Sequence, residues 1–182
     1  MSLAQHLLVA SPHLVDPNFF QTVVLMVQHT DEGALGLILN RPLSKNVSEI
    51  WQMVDESQCD RDEPIYRGGP VDGPLLALHG CSEWGEWQVL PGIYLTSKKE
   101  LLDKLVHSSQ PLKLFVGYSG WGPKQLEHEL EMGGWLTIPA RPDDVFADPE
   151  TLWKDTTKRI GQRILEPVFS KAGSPGEQYI WN

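Results

Sequence analysis

The stretch Gly117-Tyr-Ser-Gly-Trp-Gly-Pro-Lys-Gln-Leu-Glu127 decides the predicted fold, because a strand, a turn and a helix meet in it. Residues 111–118 are mostly apolar and are typical of a buried strand. The glycines that follow permit a tight turn. Pro123 suits the first position of a helix, which we expect to run to about Met132.

A second strand is predicted at Trp135–Pro139, so a strand, a helix and a strand follow one another within residues 112–139. We expect these three elements to form a right-handed βαβ unit. The chain of 182 residues suits one domain, residues 1–182. The predicted fold class is therefore α/β (mixed α+β), a layered sheet-and-helix single domain, with an irregular tail at residues 170–182.

Apolar runs on the N-terminal side predict a β-hairpin formed by Thr22–Gln28 and Ala34–Asn40. Gly36, inside the second run, indicates a bulge or a close approach of two backbones. The segment Asp55–Glu63 is rich in carboxylates, and we expect it to be a solvated loop.

Helix starts are indicated by three local patterns. Asn46 and Glu49, and likewise Ser97 and Glu100, have the spacing of a capping box. Asp148-Pro149 combines a capping residue with a proline at the first helical position, and predicts a helix over Pro149–Leu165.

The composition argues against several classes of function. Lys and Arg number 15 against 24 Asp and Glu, a formal net charge of −9, which would repel a duplex or an anionic membrane. The two cysteines have no zinc-binding or redox spacing. No signal-peptide pattern and no apolar stretch long enough to span a bilayer is present in the sequence, so a cytoplasmic protein without membrane contact is expected.

Ser119 invites comparison with the nucleophile elbow Gly-x-Ser-x-Gly, but Trp121 stands where the elbow has its second glycine. His79 and Asp143 or Asp144 could serve as partners only if the fold brought them together. The alternative interpretation is a strand-to-helix corner whose glycines permit close packing.

Other polar groups allow anion or metal binding in principle. The helix start near Lys124 could attract an anion, and Arg41 could either clamp a carboxylate or phosphate or pair with the acidic loop. Glu127, Glu129 and Glu131 flank a histidine, but the motif HExxH is absent, so solvated charges are expected and no metal site is predicted.

Nucleic-acid binding has little support in the sequence. Positive charge on the C-terminal helix comes from Lys154, Lys158, Arg159 and Arg163, and Asp155 dilutes it. No zinc-finger spacing, RNP motif or helix-turn-helix pattern occurs. Seven tryptophans are expected to fill the core or to anchor an interface.

Several segments in the same order resemble the YqgE/AlgH family of bacterial proteins over about residues 3–165. They are Leu7–Pro12, Asp16–Phe19, Gly33–Pro42, Gly68–Val71, Gly117–Glu127 and Gly134-Trp135. The resemblance implies a layered α/β fold and a cytoplasmic location. It implies no catalytic residues, and the label of transcriptional regulator that some members carry derives from a genetic effect on alginate production. Family members commonly close with a short Ala-Gly-rich end, from which the C-terminal segment of this chain departs.

The function predicted first is a non-catalytic binding or regulatory protein with a protein or small-molecule partner and no cofactor. Its surface patch would consist of residues matching the family motifs: Asn40, Arg41, Pro42, Gly68, Gly69, Pro70, Tyr118, Ser119, Gly120, Trp121, Gln125 and Glu127. The alternative is a small hydrolase or transferase that uses Ser119, Arg41 and Glu127. A third possibility is a transcriptional regulator that acts without an evident DNA-binding motif.

Overall fold

The computed structural model describes residues 2–55 and 57–172, with side chains as far as residue 165. The strands are β1 (His6–Ala10), β2 (Val23–Thr30), β3 (Gly33–Ile38), β4 (Pro42–Asn46), β5 (Pro64–Arg67), β6 (Leu76–His79), β7 (Trp87–Leu90), β8 (Ile93–Thr96), β9 (Leu112–Val116), β10 (Ser119–Trp121) and β11 (Trp135–Pro139). The α-helices are α1 (Val47–Asp55), α2 (Lys99–Val106), α3 (Gln125–Glu131), α4 (Pro142–Val145) and α5 (Leu152–Ala172).

The strands form two sheets. The first, sheet A, has the order β10-β3-β2-β1-β11 and is antiparallel throughout. The second, sheet B, has the order β4-β5-β9-β6-β8-β7, and only β5 and β9 run parallel within it. The chain leaves sheet A after β3, returns to it at β10, and completes it with β11.

The side chains of each strand point alternately to the two faces of its sheet, and this explains how the sheets and helices stack in layers. In β1, Leu7 and Val9 enter the core between the two sheets, whereas Leu8 and Ala10 face the opposite side, toward α3. Sheet B packs its other face on α1 and α2, where Trp51 is fully buried. The mixed α+β class and the layered architecture predicted from the sequence are therefore confirmed.

The predicted βαβ unit is wrong, because β9 belongs to sheet B and β11 to sheet A. Gly117, at a positive φ of 69°, lies where the backbone leaves sheet B. The next residues form β10 and pair with β3, so the expected turn is a short strand. β10 and β11 then occupy opposite edges of sheet A, and α3 connects them across its outer face.

The predicted hairpin is present as β2 and β3, with a bulge between Met26 and Gln28. A Cβ on Gly36 would lie 2.6 Å from Cγ1 of Val24, so this glycine permits the close approach expected for it. The helix expected over Pro149–Leu165 is α5, which begins at Leu152 and continues to Ala172. The first three residues of the expected irregular tail are thus helical, and residues 173–182 lie outside the described residues.

Two helix starts test the capping predictions. At α1, the Asn46 side chain accepts a hydrogen bond from the Glu49 amide (2.9 Å), and the Glu49 carboxylate accepts one from the Asn46 amide (2.9 Å), which confirms the capping box. At α2 the predicted box between Ser97 and Glu100 is wrong. The carboxylate of Glu86 takes its place and accepts hydrogen bonds from the amides of Ser97 and Lys98.

The described part of the acidic segment contains a buried basic side chain. Arg61 lies within it and is buried, and its guanidinium donates to the carbonyl oxygens of Val106 (3.1 Å) and Gln110 (2.8 Å). The positive charge faces the C-terminal end of α2, where carbonyl groups lack helical partners. The prediction of a solvated loop is therefore wrong for Arg61.

Glu86 gives stability a specific pH dependence. Burial alone raises its pKa, but hydrogen bonds from the Ser97 amide, the Thr96 hydroxyl and the Lys98 amide outweigh burial and lower the pKa to about 2, from an ordinary value of 4.5. These bonds stabilise the fold at pH values above the pKa that Glu86 has in the unfolded chain. Their contribution is lost as the pH falls through the pKa that Glu86 has in the folded protein. We expect Glu86→Gln to lower Tm at neutral pH, and the difference from wild type to shrink between about pH 4.5 and pH 2.

Thermal melts over this pH range measure the effect. Glu83→Gln is the matched control, since Glu83 is exposed and makes no described hydrogen bond. A Tm difference for Glu86→Gln that stayed constant from neutral pH to pH 2 would contradict the assigned role of the carboxylate.

Candidate functional site

Three of the family-like motifs meet where the chain passes between the two sheets. We call residues 38–42, 68–71 and 117–121 the strand-exchange corner. Residues 38–42 lead from β3 into β4, and residues 117–121 lead from β9 into β10. Residues 68–71 lie between these two crossings and bond to both.

Backbone hydrogen bonds join the corner. Gly68 accepts a bond from the Ile38 amide (2.9 Å) and donates one to the Val116 carbonyl oxygen (2.9 Å). Val71 and Tyr118 exchange two bonds of 3.0 Å each. The corner therefore continues the hydrogen bonding of the two sheets across the gap between them.

The glycines of the corner leave no space for a side chain. A Cβ on Gly68 would lie 2.3 Å from the carbonyl oxygen of Gly117. A Cβ on Gly69 would lie 2.2 Å from the carbonyl carbon and oxygen of Tyr118. Both contacts are to backbone, which cannot move aside by changing a rotamer. The glycine motifs are thus requirements of the fold at this corner.

Asn40 and Arg41 hold the loop between β1 and β2 against the corner. The buried Asn40 side chain accepts a bond from the Val23 amide (2.9 Å) and donates one to the Gln21 carbonyl oxygen (2.9 Å). Arg41 donates to the carbonyl oxygen of Phe20. Burial lowers the pKa of Arg41. In the described residues its partners are carbonyl oxygens, so the alternative of a pair with the acidic loop is wrong, and the anion clamp stays a prediction.

The catalytic alternative fails at Ser119. Its hydroxyl is fully buried and donates to the Gly68 carbonyl oxygen (3.0 Å), so it fastens the corner and is closed to a substrate. Glu127, the expected acid or base, is exposed and pairs with His29 (3.0 Å). Asp144 binds Arg159 instead of a histidine. The proposed nucleophile and base therefore do not act together.

Lys113 is a buried group that the sequence analysis missed. Its ammonium donates to the carbonyl oxygens of Leu39 (2.8 Å) and Val145 (2.9 Å) and lies 4.1 Å from the centre of the Tyr66 ring. Burial lowers the pKa of Lys113 to about 8. Its two backbone bonds tie the end of β3 and the end of α4 to sheet B.

An aromatic cluster covers the outer face of sheet A beside the corner. Phe19 stacks on Trp121 with ring centres 6.0 Å apart, and meets Trp135 edge-on at 5.2 Å. The Glu129 carboxylate accepts both indole N–H groups, from Trp121 at 3.0 Å and from Trp135 at 2.8 Å. One carboxylate thus fixes two buried tryptophans, which makes the cluster rigid.

Glu129 is a residue whose role the sequence analysis missed, since it was grouped with solvated charges. A signal was available in the spacing. Trp121, Gln125 and Glu129 are four residues apart, and Gln125 donates to the second oxygen of Glu129 (2.9 Å). Gln125 also accepts from the Gly122 amide (3.0 Å), which links the end of β10 to α3.

A cleft of about 800 Å³, which we call the loop–helix cleft, opens over the aromatic cluster. Residues 11–19 form one wall, α3 forms the other, and Pro70 and Gly120 of the corner lie at its edge. The rim carries two strongly exposed apolar side chains, Val15 at 86% and Met132 at 74% of full exposure.

Of the twelve residues predicted as a surface patch, eleven lie in the corner or line this cleft, and Glu127 lies in neither. Asn40, Gly68, Gly69, Ser119 and Trp121 are buried, Arg41 and Tyr118 are half-buried, and Pro42, Pro70, Gly120, Gln125 and Glu127 are exposed. Of the twelve, Pro70, Gly120, Trp121 and Gln125 line the cleft.

Within residues 2–55 and 57–172 no cluster of three or more His, Cys, Asp or Glu side chains could hold a metal ion. No helix in the same ranges is both long and apolar enough to cross a bilayer.

Two stacked sheets that the chain joins at a glycine corner, with an aromatic cluster beside it, define a layered α+β protein. The chain belongs to the AlgH-like family, whose model matches residues 7–165. This confirms the family predicted from the motifs.

Relatives and solved structures agree with this assignment. A UPF0301 protein of Anaeromyxobacter dehalogenans is 36% identical over 97% of this chain and 95% of its own length. One from Streptomyces avermitilis is 40% identical over 87% of this chain and 86% of its own. The solution structure of AlgH from Pseudomonas aeruginosa has a TM-score of 0.74 and 30% identity, and covers 97% of this chain and 96% of that one. Protein DIP2367 from Corynebacterium diphtheriae, at 21% identity, 86% coverage of each chain and a TM-score of 0.71, shares the fold.

Proposed function

We propose that this protein is a non-catalytic, cytoplasmic binding protein that docks an apolar segment of a protein partner in the loop–helix cleft. The observation that carries the proposal is the contrast between floor and rim. The floor is a rigid aromatic cluster, and the rim leaves Val15 and Met132 largely in water. Exposed apolar side chains around a preformed cleft are characteristic of interaction sites.

The charges of the cleft favour a protein over a nucleic acid. Its described lining contains two carboxylates, Asp16 and Glu129, and neither lysine nor arginine. Both indole N–H groups and Gln125 already engage Glu129, whereas Asp16 is exposed beside Val15. A basic residue next to the apolar segment would therefore pair with Asp16, and a phosphate backbone would be repelled.

Site-specific photo-crosslinking in cells tests the proposal. A photoreactive amino acid at position 132 should give a discrete adduct with a partner protein. The matched control is position 53, a methionine of α1 that is 71% exposed and does not line the cleft. The partner, identified by mass spectrometry, should then bind the purified protein, and Val15→Asp should weaken binding roughly tenfold, the loss of one buried apolar contact.

Two results would overturn the docking function. Equal adducts from positions 132 and 53 would mean that the cleft is not selective. Binding of the purified partner that was unchanged by Val15→Asp would place the contact on another surface. Circular dichroism of Val15→Asp guards against a folding defect, and none is expected, since the side chain is exposed.

A further inference from the structure

A second cavity, of about 630 Å³, lies between the end of β11 and the first half of α5. We call it the basic cleft. On the strand side its wall runs from Ile138 to Arg141. On the helix side it is formed by Asp155, Lys158, Arg159, Gln162 and Arg163. Each of these five helix residues has another of them three or four positions away, so they lie on one face of α5.

The charge of this cleft is opposite to that of the whole chain. Four of its lining residues are basic, Arg141, Lys158, Arg159 and Arg163, and one described lining residue, Asp155, is acidic. The chain as a whole carries a formal charge of −9. A positive cleft in an acidic protein attracts small anions, while the surrounding field disfavours long polyanions.

One of the four cations is already neutralised. Arg159 makes a two-pronged ion pair with Asp144, with nitrogen–oxygen distances of 2.7 and 3.0 Å. Asp144 is itself buried and accepts a bond from the Arg141 amide (2.7 Å). This pair fixes α5 to α4 and makes the helix-side wall of the cleft rigid.

The other three cations are available. Within the described residues no carboxylate lies at ion-pair distance from Arg141, Lys158 or Arg163. Among the described lining residues, one carboxylate, Asp155, stands against these three charges, an excess of two positive charges. A ligand that balances the cleft carries at least two negative charges.

The size and chemistry of the cleft fit a small molecule with adjacent phosphate groups. Arginine guanidinium binds phosphate oxygens in pairs, and lysine adds a point charge. The volume is in the range of small-molecule sites, and Ile138, Pro139 and Ala140 provide an apolar wall for an uncharged part of the ligand. We infer that the basic cleft binds the diphosphate group of a small metabolite, either inorganic pyrophosphate or a nucleoside diphosphate.

Titration of the purified full-length protein with inorganic pyrophosphate and with ADP tests this inference. Saturable shifts of the amide resonances of Ile138, Ala140, Arg141 and residues 155–163 are expected in NMR spectra at low salt. Lys158→Glu and Arg163→Glu should each weaken binding roughly tenfold, because each reverses a charge at the ligand. Both side chains are exposed, so thermal melts should show folded variants.

Two further variants distinguish a defined binding site from a general effect of surface charge on anion binding. Lys154→Glu makes the same charge change on the same helix outside the cleft and should leave Kd within about twofold. Asp155→Asn removes the carboxylate and should tighten binding about threefold. Tighter binding of ADP than of pyrophosphate would identify a nucleotide as the ligand. Equal binding of the two would identify free pyrophosphate as the ligand.

Three results would overturn the inference. The first is the absence of saturable pyrophosphate and ADP binding. The second is an equal loss of affinity in Lys154→Glu and Lys158→Glu, which would indicate surface charge alone. The third is tighter binding of a single-stranded oligonucleotide than of either small anion, with a salt dependence of many charges, which would indicate a nucleic-acid surface.

Discussion

Replacing Gly69 with alanine is expected to destabilise the protein by at least about 3 kcal/mol and to lower Tm by about 10 °C. The added methyl carbon would lie 2.2 Å from the Tyr118 carbonyl group and 2.3 Å from the Ser119 amide nitrogen. Relief requires residues 68–71 to move away from residues 117–121. Because both sheets bond through this corner, the strain spreads to both.

Gly161 provides the control for this substitution. It lies in α5, and a Cβ there would have no neighbour within 4 Å. Gly161→Ala should therefore raise stability by about 0.5–1 kcal/mol through helix propensity alone. Urea denaturation of both variants measures the two effects. A Gly69→Ala variant with wild-type stability would show that the corner can relax, and that its glycines are not needed for close packing.

Replacing Glu129 with alanine should cost about 2–4 kcal/mol, because it leaves the indole N–H groups of two buried tryptophans without an acceptor. The change also removes the partner of Gln125, which joins α3 to the end of β10. The free energy of unfolding in urea and the tryptophan fluorescence should both change, since Trp121 and Trp135 lose their common acceptor.

Two matched variants define the mechanism. Glu131→Ala, two residues along the same helix at an exposed position, should change stability by less than about 0.5 kcal/mol. Glu129→Gln should fall between, because the amide oxygen can accept the indole protons while the amide nitrogen opposes the donor of Gln125. A cost for Glu129→Gln as large as for Glu129→Ala would mean that negative charge, not the acceptor, holds the cluster.

Local patterns predicted the elements better than their assembly. The β2–β3 hairpin, the close approach at Gly36 and the cap at Asn46 depend on neighbours in sequence, and the structure confirms them. The βαβ unit failed because membership of a sheet depends on pairing with distant strands. A strand, a helix and a strand in succession look the same whether the two strands share a sheet or not.

The candidate site shows the same limit. Most of the motif residues do come together, as the hypothesis of a surface patch required, but Gly68, Gly69 and Ser119 serve the packing of the corner. Their sequence context does not separate a buried junction from an exposed patch. Glu129 was missed although Trp121 and Gln125 precede it at four-residue spacing, because this spacing does not show that Trp121 and Trp135 both turn their indole N–H groups toward it.

The pairing of β1 with β11 has a consequence for synthesis of the chain. β1 lies inside sheet A, between β2 and β11, and its partner residues run from His6 with Pro139 to Ala10 with Trp135. During translation one edge of this apolar strand stays unpaired until roughly 130 further residues have been synthesised. At ordinary elongation rates this takes on the order of ten seconds. The nascent chain therefore presents an open apolar edge to the ribosome exit region for that time. Such an edge is a substrate for chaperones, and mutations that slow the arrival of β11 should favour aggregation before they alter the finished fold.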